Sequence, residues 1–255
     1  MRAGVAVATK TKHGWLPWGI DLALLAAFAA LTVALAQGNL LTLDERVAGW
    51  FVDHRPTPLY VVLRVLNYLG QGGQVLMPIA IVLAALVAWR RRSIRPLLVF
   101  AAVFVLTYLT IGPLKVWLDR AAPAFTGPDR LVLFNPYASG IEAMSYPSGH
   151  VANALAWYGV IAVLLNALLR SLDRPVLSRR AYLALRVLPP AIVFVTTTWL
   201  AFHWITDSVA GLLLGLILTR LLARVPWDTI PLPALPRGLD RPAGLDAPRI
   251  TRTGG

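Results

Sequence analysis

A short stretch, Tyr146-Pro147-Ser148-Gly149-His150, runs directly into an unbroken apolar segment from Val151 to Leu169. A proline, a small hydroxyl residue and a glycine ahead of a helix leave several backbone N–H groups unpaired and aimed at one point. That arrangement suits an anion such as phosphate. His150 stands on the rim of the same point, where it can donate a proton. Further along, His203 and Asp207 are one helical turn apart, so on a shared helix the carboxylate can accept a hydrogen bond from one imidazole nitrogen. The other nitrogen is then unprotonated and aimed outward, as a nucleophile or a base. Lys115, just past the end of a third apolar run, completes the set.

These residues need elements that bring them together. Of 255 residues 57 % are hydrophobic and 14 % charged, and the apolar runs are long enough to cross the ~30 Å hydrocarbon core of a bilayer. The expected fold is all-α, a polytopic membrane protein with six transmembrane helices. The spans run from Leu22 to Ala36 and, with approximate ends, from Gln74 to Trp89, Pro96 to Pro113, Val151 to Leu169, Val187 to Phe202 and Trp204 to Leu222. The first span lacks a small-x-small cleavage site and reads as a retained helix. Between spans one and two, residues 41–69 carry apolar positions at helical spacing, broken by Pro56 and Pro58, and predict two amphipathic helices on the membrane surface. Residues 1–17 read as a basic cytoplasmic tail, 18–224 as the membrane domain, and 225–255 as a disordered Pro-rich cytoplasmic tail. From Val116 to Tyr146 a long mixed loop can cover a site.

A formal charge of +12 suggests nucleic acid in a soluble protein, but its distribution speaks for topology. The N-terminal tail, the loops at 90–95 and 170–186 and the C-terminal tail hold 18 of the 24 basic residues, while the other loops hold six against seven acidic residues. The positive-inside rule then places both termini in the cytoplasm of a plasma-membrane protein, with no nucleic-acid partner. Lys115, His150 and His203 all fall at the outer ends of spans. Ionisable residues facing a bundle interior there are functional candidates by default. The chain has no cysteine, so no thiolate chemistry or sulfur metal site arises.

Lys115 followed by Pro123, then Pro147-Ser148-Gly149-His150, then His203-x-x-x-Asp207-x-x-Ala-Gly, resembles the three-part motif of the type 2 phosphatidic acid phosphatase and vanadium haloperoxidase superfamily, in its integral-membrane lipid phosphatase branch. The resemblance covers roughly residues 20–222. It implies that His203 attacks phosphorus to give a phosphohistidine, that Asp207 orients it, and that His150 protonates the leaving oxygen. It also implies that Lys115, Ser148 and the Gly149 N–H hold the phosphate oxygens, with no metal or other cofactor. The substrate would be a membrane lipid phosphate or diphosphate, such as a polyprenyl diphosphate or phosphatidate, met at the outer leaflet.

The chain departs from that pattern at two positions. Ala122 stands where the first motif carries arginine, and Thr196-Thr197 where the third carries Ser-Arg. A charge-assisted hydrogen bond contributes ~1.5–3 kcal/mol, so losing two costs ~3–6 kcal/mol, on the order of 10²–10⁴ in rate if both act in the transition state. Arg120 is the substitute if the helix unwinds before Pro123; Arg130 is a weaker one, and Thr197 can offer a neutral donor. A family member that binds lipid phosphates without turnover is the alternative. Two other readings are weaker. Ser148 lacks the Gly-x-Ser-x-Gly elbow of a serine hydrolase, and His150, His203 and Asp207 as a zinc set leave the Pro-Ser-Gly-His context unexplained.

Overall fold

The computed structural model describes residues 16–54 and 56–245; the expected N-terminal tail lies outside them up to residue 15. Among the described residues there are eight α-helices: α1 Leu16–Ala36, α2 Leu41–Asp53, α3 Thr57–Asn67, α4 Met77–Arg91, α5 Arg95–Leu118, α6 Gly149–Ser171, α7 Arg179–Trp199 and α8 Ile205–Arg224. A π-helical turn, Gly72–Leu76, leads into α4. Among the described residues there is no strand, only an isolated bridge between Arg120 and Met144. Six helices among the described residues are long and apolar enough to span a membrane: Trp18–Ala36, Gly72–Arg91, Arg95–Leu118, Gly149–Ser171, Arg179–Trp199 and Ile205–Arg224.

The core sits around α6, most of which is buried, including Trp157 and Leu164. Helices α4, α5, α7 and α8 pack around it, and α1 packs on α8. The close approach of α6 and α8 depends on two glycines one turn apart. A Cβ on Gly211 would lie 2.5 Å from the carbonyl oxygen of Ser148, and one on Gly215 would lie 2.7 Å from the Leu155 side chain. Near the C-terminal end of α8, Asp21 of α1 pairs with Arg220 and Arg224.

The helices α2 and α3 form the expected amphipathic pair. In α2 the polarity is turned over at one position, because Asp44 is fully buried while Leu43, Trp50 and Val52 are exposed. An apolar flank turned outward fits a helix lying in the headgroup region.

Three expectations change. The third span continues past Pro113 to Leu118; a proline inside a membrane helix removes one backbone bond, which neighbours make good. The fifth span starts at Arg179 rather than Val187. Ser178 caps it by accepting the Ala181 N–H at 3.2 Å, so Arg179, Arg180 and Arg186 ride on its first turns and Pro189-Pro190 fall mid-helix. The C-terminal segment is not disordered over residues 226–245. Arg95 donates to the carbonyls of Asp240, Trp227 and Ile230 at 2.8, 2.6 and 3.0 Å, and the Asp228 carboxylate accepts the N–H groups of Ala243 and Leu245 at 2.7 and 2.6 Å. The segment is held through its own main chain, which leaves no hydrophobic period to read. Residues 246–255 of that tail lie outside the described residues.

Candidate active site

Helix α5 ends where Asp119 turns into the left-handed region at φ 40°, so the chain unwinds four residues before Pro123. Lys115 in the last turn of α5 donates through Nζ to the carbonyl of Met144 and lies 3.4 Å from that of Ser145. Its stem runs along the first turn of α6, where a Cβ on Gly149 would lie 3.1 Å from Lys115 Cε. A glycine is therefore what lets the ammonium reach the helix end.

Ser148 is the N-cap of α6, and its Oγ accepts the Val151 N–H at 3.5 Å. Its own N–H donates to the carbonyl of Asp207 at 2.9 Å, which fastens the start of α6 to the start of α8. The first-turn N–H groups of α6, those of Gly149 and His150 among them, have no partner within the helix.

His203 is not on the helix with Asp207. It precedes Trp204, the N-cap of α8, in a turn whose geometry is set by the Thr197 carbonyl, which accepts the N–H groups of Phe202 and His203 at 3.0 and 3.3 Å. Asp207, three residues into α8, closes the helix end by accepting the Trp204 N–H at 2.9 Å. Between the imidazole and the carboxylate stands Ser145. His203 Nδ1 is 3.7 Å from Asp207 Oδ2 and 3.4 Å from Ser145 Oγ, and that hydroxyl donates to Asp207 Oδ2. The ring is fixed by its Nδ1 side and turns Nε2 the other way. Burial holds the His203 imidazolium below its usual range, and Lys115 acts in the same sense, against the pull of Asp207. The neutral ring is therefore the resting form.

The rings of His150 and His203 lie 5.6 Å apart, centroid to centroid, at 67°. Both can reach substituents of one phosphorus atom. One turn inward, a cavity of about 210 Å³ is lined by Gly72, Gly73, Ile111, Gly112, Asn153 and Trp157 among others.

Arg120 reaches this site, but it does so behind Asp207. It is fully buried and donates from Nη1 to Asp207 Oδ1 at 2.6 Å and to Thr206 Oγ1 at 2.8 Å. Its Nη2 meets Asp44 Oδ2 at 2.6 Å and its Nε the Leu131 carbonyl at 2.9 Å. Burial works against its charge, yet Asp207 and Asp44 together hold its pKa above the ordinary value. Arg130 faces Glu45 on the surface, at 3.3 Å. Thr197 is fully buried with its hydroxyl bonded back to the Val193 carbonyl at 2.8 Å, and Ala122 is half-buried in the loop. Among the described residues no three His, Asp or Glu side chains are grouped to hold a metal ion. Sequence reasoning missed Asp44, Ser145 and Thr206. A carboxylate at an inward position of an amphipathic helix was the signal for Asp44; the other two carried none.

The sequence model of the PAP2 superfamily matches residues 96–231, more than half of the chain. The chain belongs to the PAP2 superfamily. This PAP2 protein is 28 % identical over 191 residues to phosphatidylglycerophosphatase B of Bacillus subtilis (strain 168), covering 75 % of this chain and 87 % of the relative. Its fold is similar to the crystal structure of a transmembrane PAP2-type phosphatidylglycerolphosphate phosphatase from Bacillus subtilis. That match has a TM-score of 0.63 at 25 % identity and covers 79 % of this chain and 93 % of the other. The protein is thus a multi-pass membrane phosphatase of the PAP2 type, a phosphoric ester hydrolase by family.

Proposed function

We propose that this PAP2 phosphatase removes phosphate from a lipid phosphate or diphosphate at the outer leaflet, through a phosphohistidine on His203 and without a metal. The observation that carries the reading is the facing pair of rings, His150 and His203, at the meeting point of α5, α6 and the α7–α8 turn. Nε2 of His203 attacks phosphorus and the bond to the lipid oxygen breaks. His150 gives that oxygen its proton, which a phosphate dianion lying against the ring favours by stabilising the imidazolium. Water then attacks the phosphohistidine, His150 takes a proton from it, and phosphate leaves with His203 restored.

Lys115, Ser148 and the N-terminal N–H groups of α6 are the phosphate ligands in this reading, with charge developing on the equatorial oxygens held by fixed donors. The cavity below the rings suits the first carbons of a lipid chain, and its position between α4, α5 and α6 is consistent with a substrate whose tail stays in the bilayer. The names of the relatives make phosphatidylglycerol phosphate the first candidate. Phosphatidate and polyprenyl diphosphates follow. The excess of basic residues at the far end of the bundle, 18 of 24, supports a site on the outer face with both termini in the cytoplasm.

The test is phosphate release by the purified protein in detergent, with chelator present, from each of the three lipid classes. Release that disappears in His203→Ala supports the reading; no release from any of them rejects it. The absence of arginine at 122 and 197 favours a second reading, binding without turnover. It predicts lipid phosphate retained on the inert protein, and Ala122→Arg then creates turnover.

A further inference from the structure

We infer that Asp44 and Arg120 are a positioning pair that brackets Asp207 from behind and ties it to the surface helix α2, so that Arg120 serves the histidine's carboxylate and does not meet the phosphate. The inference rests on the catalytic reading of His203 and Asp207 given above.

Three observations carry it. The first is near-saturation. A guanidinium has five N–H donors, and four of those on Arg120 are taken by Asp207, Thr206, Asp44 and the Leu131 carbonyl. The second is the depth of Asp44. Its Oδ1 accepts the Thr206 N–H at 3.0 Å and its Oδ2 the Thr206 hydroxyl at 2.6 Å, so it grips the residue beside Asp207 as well as the arginine. Neither carboxylate nor guanidinium has any solvent exposure. A buried carboxylate on an otherwise outward-facing amphipathic helix is costly unless fully paired, and burial does push the Asp44 carboxyl up against the pull of Arg120.

The third is division of labour on Asp207. Oδ1 belongs to Arg120, while Oδ2 takes the Ser145 hydroxyl and the Trp204 N–H on the side of His203. Each oxygen has its own partners, and the carboxylate plane cannot swing. Arg120 also offsets the charge of Asp207, which limits how strongly the imidazolium of His203 is favoured. The charged and titratable groups around His203 are Asp207 on α8, His150 on α6 and Lys115 on α5. Behind these lie Arg120, Asp44 on α2 and Tyr146, and Arg64 of α3 lies over the neighbouring Phe202 ring at 5.2 Å.

The pair therefore acts on turnover through geometry and through the acid limb of the pH profile. In Arg120→Gln the Asp207 charge is no longer offset, so the imidazolium gains and the acid limb of kcat moves to higher pH. In Asp44→Asn the whole of the Arg120 charge falls on Asp207, and the limb moves to lower pH. A misplaced ring lowers kcat by on the order of 10²-fold, with KM little changed because no phosphate contact is lost.

The experiment measures kcat, KM and the pH profile of the parent, Asp44→Asn, Arg120→Gln, Arg120→Lys and the doubly neutral Asp44→Asn with Arg120→Gln, with His203→Ala as the control. The double variant leaves no unpaired charge between positions 44 and 120 and keeps the test available if a single variant does not fold; its limb moves up, as in Arg120→Gln. Opposite limb shifts in the two singles, with KM held and partial recovery in Arg120→Lys, are the expected result. A rise in KM at unchanged kcat in Arg120→Gln makes Arg120 a phosphate ligand and overturns the positioning role alone. A uniform fall in kcat with no limb shift in any variant makes the pair merely structural and overturns it too. Activity that survives His203→Ala removes the catalytic reading and the inference with it.

Discussion

The N–H of Ser148 donates to the carbonyl of Asp207 at 2.9 Å, so the residue that opens α6 is held by the residue whose carboxylate faces His203. Two stretches some sixty positions apart in sequence meet through main chain, and Gly211 makes the approach possible. A methyl group on Gly211 would fall 2.5 Å from the Ser148 carbonyl oxygen. Gly211→Ala is expected to cost ~1–3 kcal/mol, the usual range for an overpacked contact, and to lower kcat/KM by pushing the α6 terminus off the pocket. A detergent melt and a phosphate-release assay on the same preparation check both halves.

In the proposed reaction His150→Ala separates the acid from the nucleophile. On an alkyl lipid phosphate the variant should lose about 10²–10⁴ of kcat, the range for a general acid. On an aryl phosphate, whose leaving oxygen needs little protonation, most of the first step should survive, and the phosphohistidine should accumulate. Equal losses on both substrates would remove His150 from that role.

Burial keeps His203 neutral to lower pH than a free histidine. With His203 attacking as proposed, protonation of the ring stops it, and a depressed pKa means that protonation comes late. The His203-dependent acid limb of kcat/KM, which reports the free enzyme, is expected below the ordinary histidine value of about 6.5. A limb above it would mean that Asp207 outweighs burial.

Ala122 is half-buried, and its N–H is spent on the Glu142 carbonyl at 3.0 Å, so a longer side chain there need not break a main-chain bond. Ala122→Arg should supply a cation to the phosphate and lower KM by roughly tenfold, the worth of one charge-assisted bond of ~1.5 kcal/mol. Initial rates across a range of lipid phosphate concentrations measure it.

Arg95 is 6 % exposed and its guanidinium holds three carbonyls of the C-terminal segment. Arg95→Met should free residues 226–245 without touching the pocket at the far end of the bundle. Limited proteolysis should cut the segment faster in the variant, with kcat unchanged.

Much of this was legible in the sequence because it follows from composition and short spacing. Apolar run length gave the six spans, and Lys115, the Pro-Ser-Gly-His stretch, His203 and Asp207 are residues marked by the sequence that the fold brings together. What escaped depends on distant partners. Arg120 was legible as a cation near the site, but whether it faces phosphate or carboxylate is decided by Asp44, 76 positions earlier. Ser145 looks like any loop serine until the chain folds it between His203 and Asp207. The early start of α7 rests on a single cap, Ser178, and prolines at 189–190 pointed to a later one. The C-terminal segment is fastened by carbonyl groups, which every residue has and no pattern marks.

Helix α6 is packed by α4, α5, α7 and α8, and its first residue, Gly149, is itself buried. Its backbone partial charge, about half a unit at that end, sits where counter-ions cannot gather. Molar salt should therefore weaken surface pairs such as Arg130–Glu45 while leaving this contribution nearly whole. A peptide field of this kind does not depend on the side chains around it, and in the proposed site it favours an anion although positions 122 and 197 carry Ala and Thr.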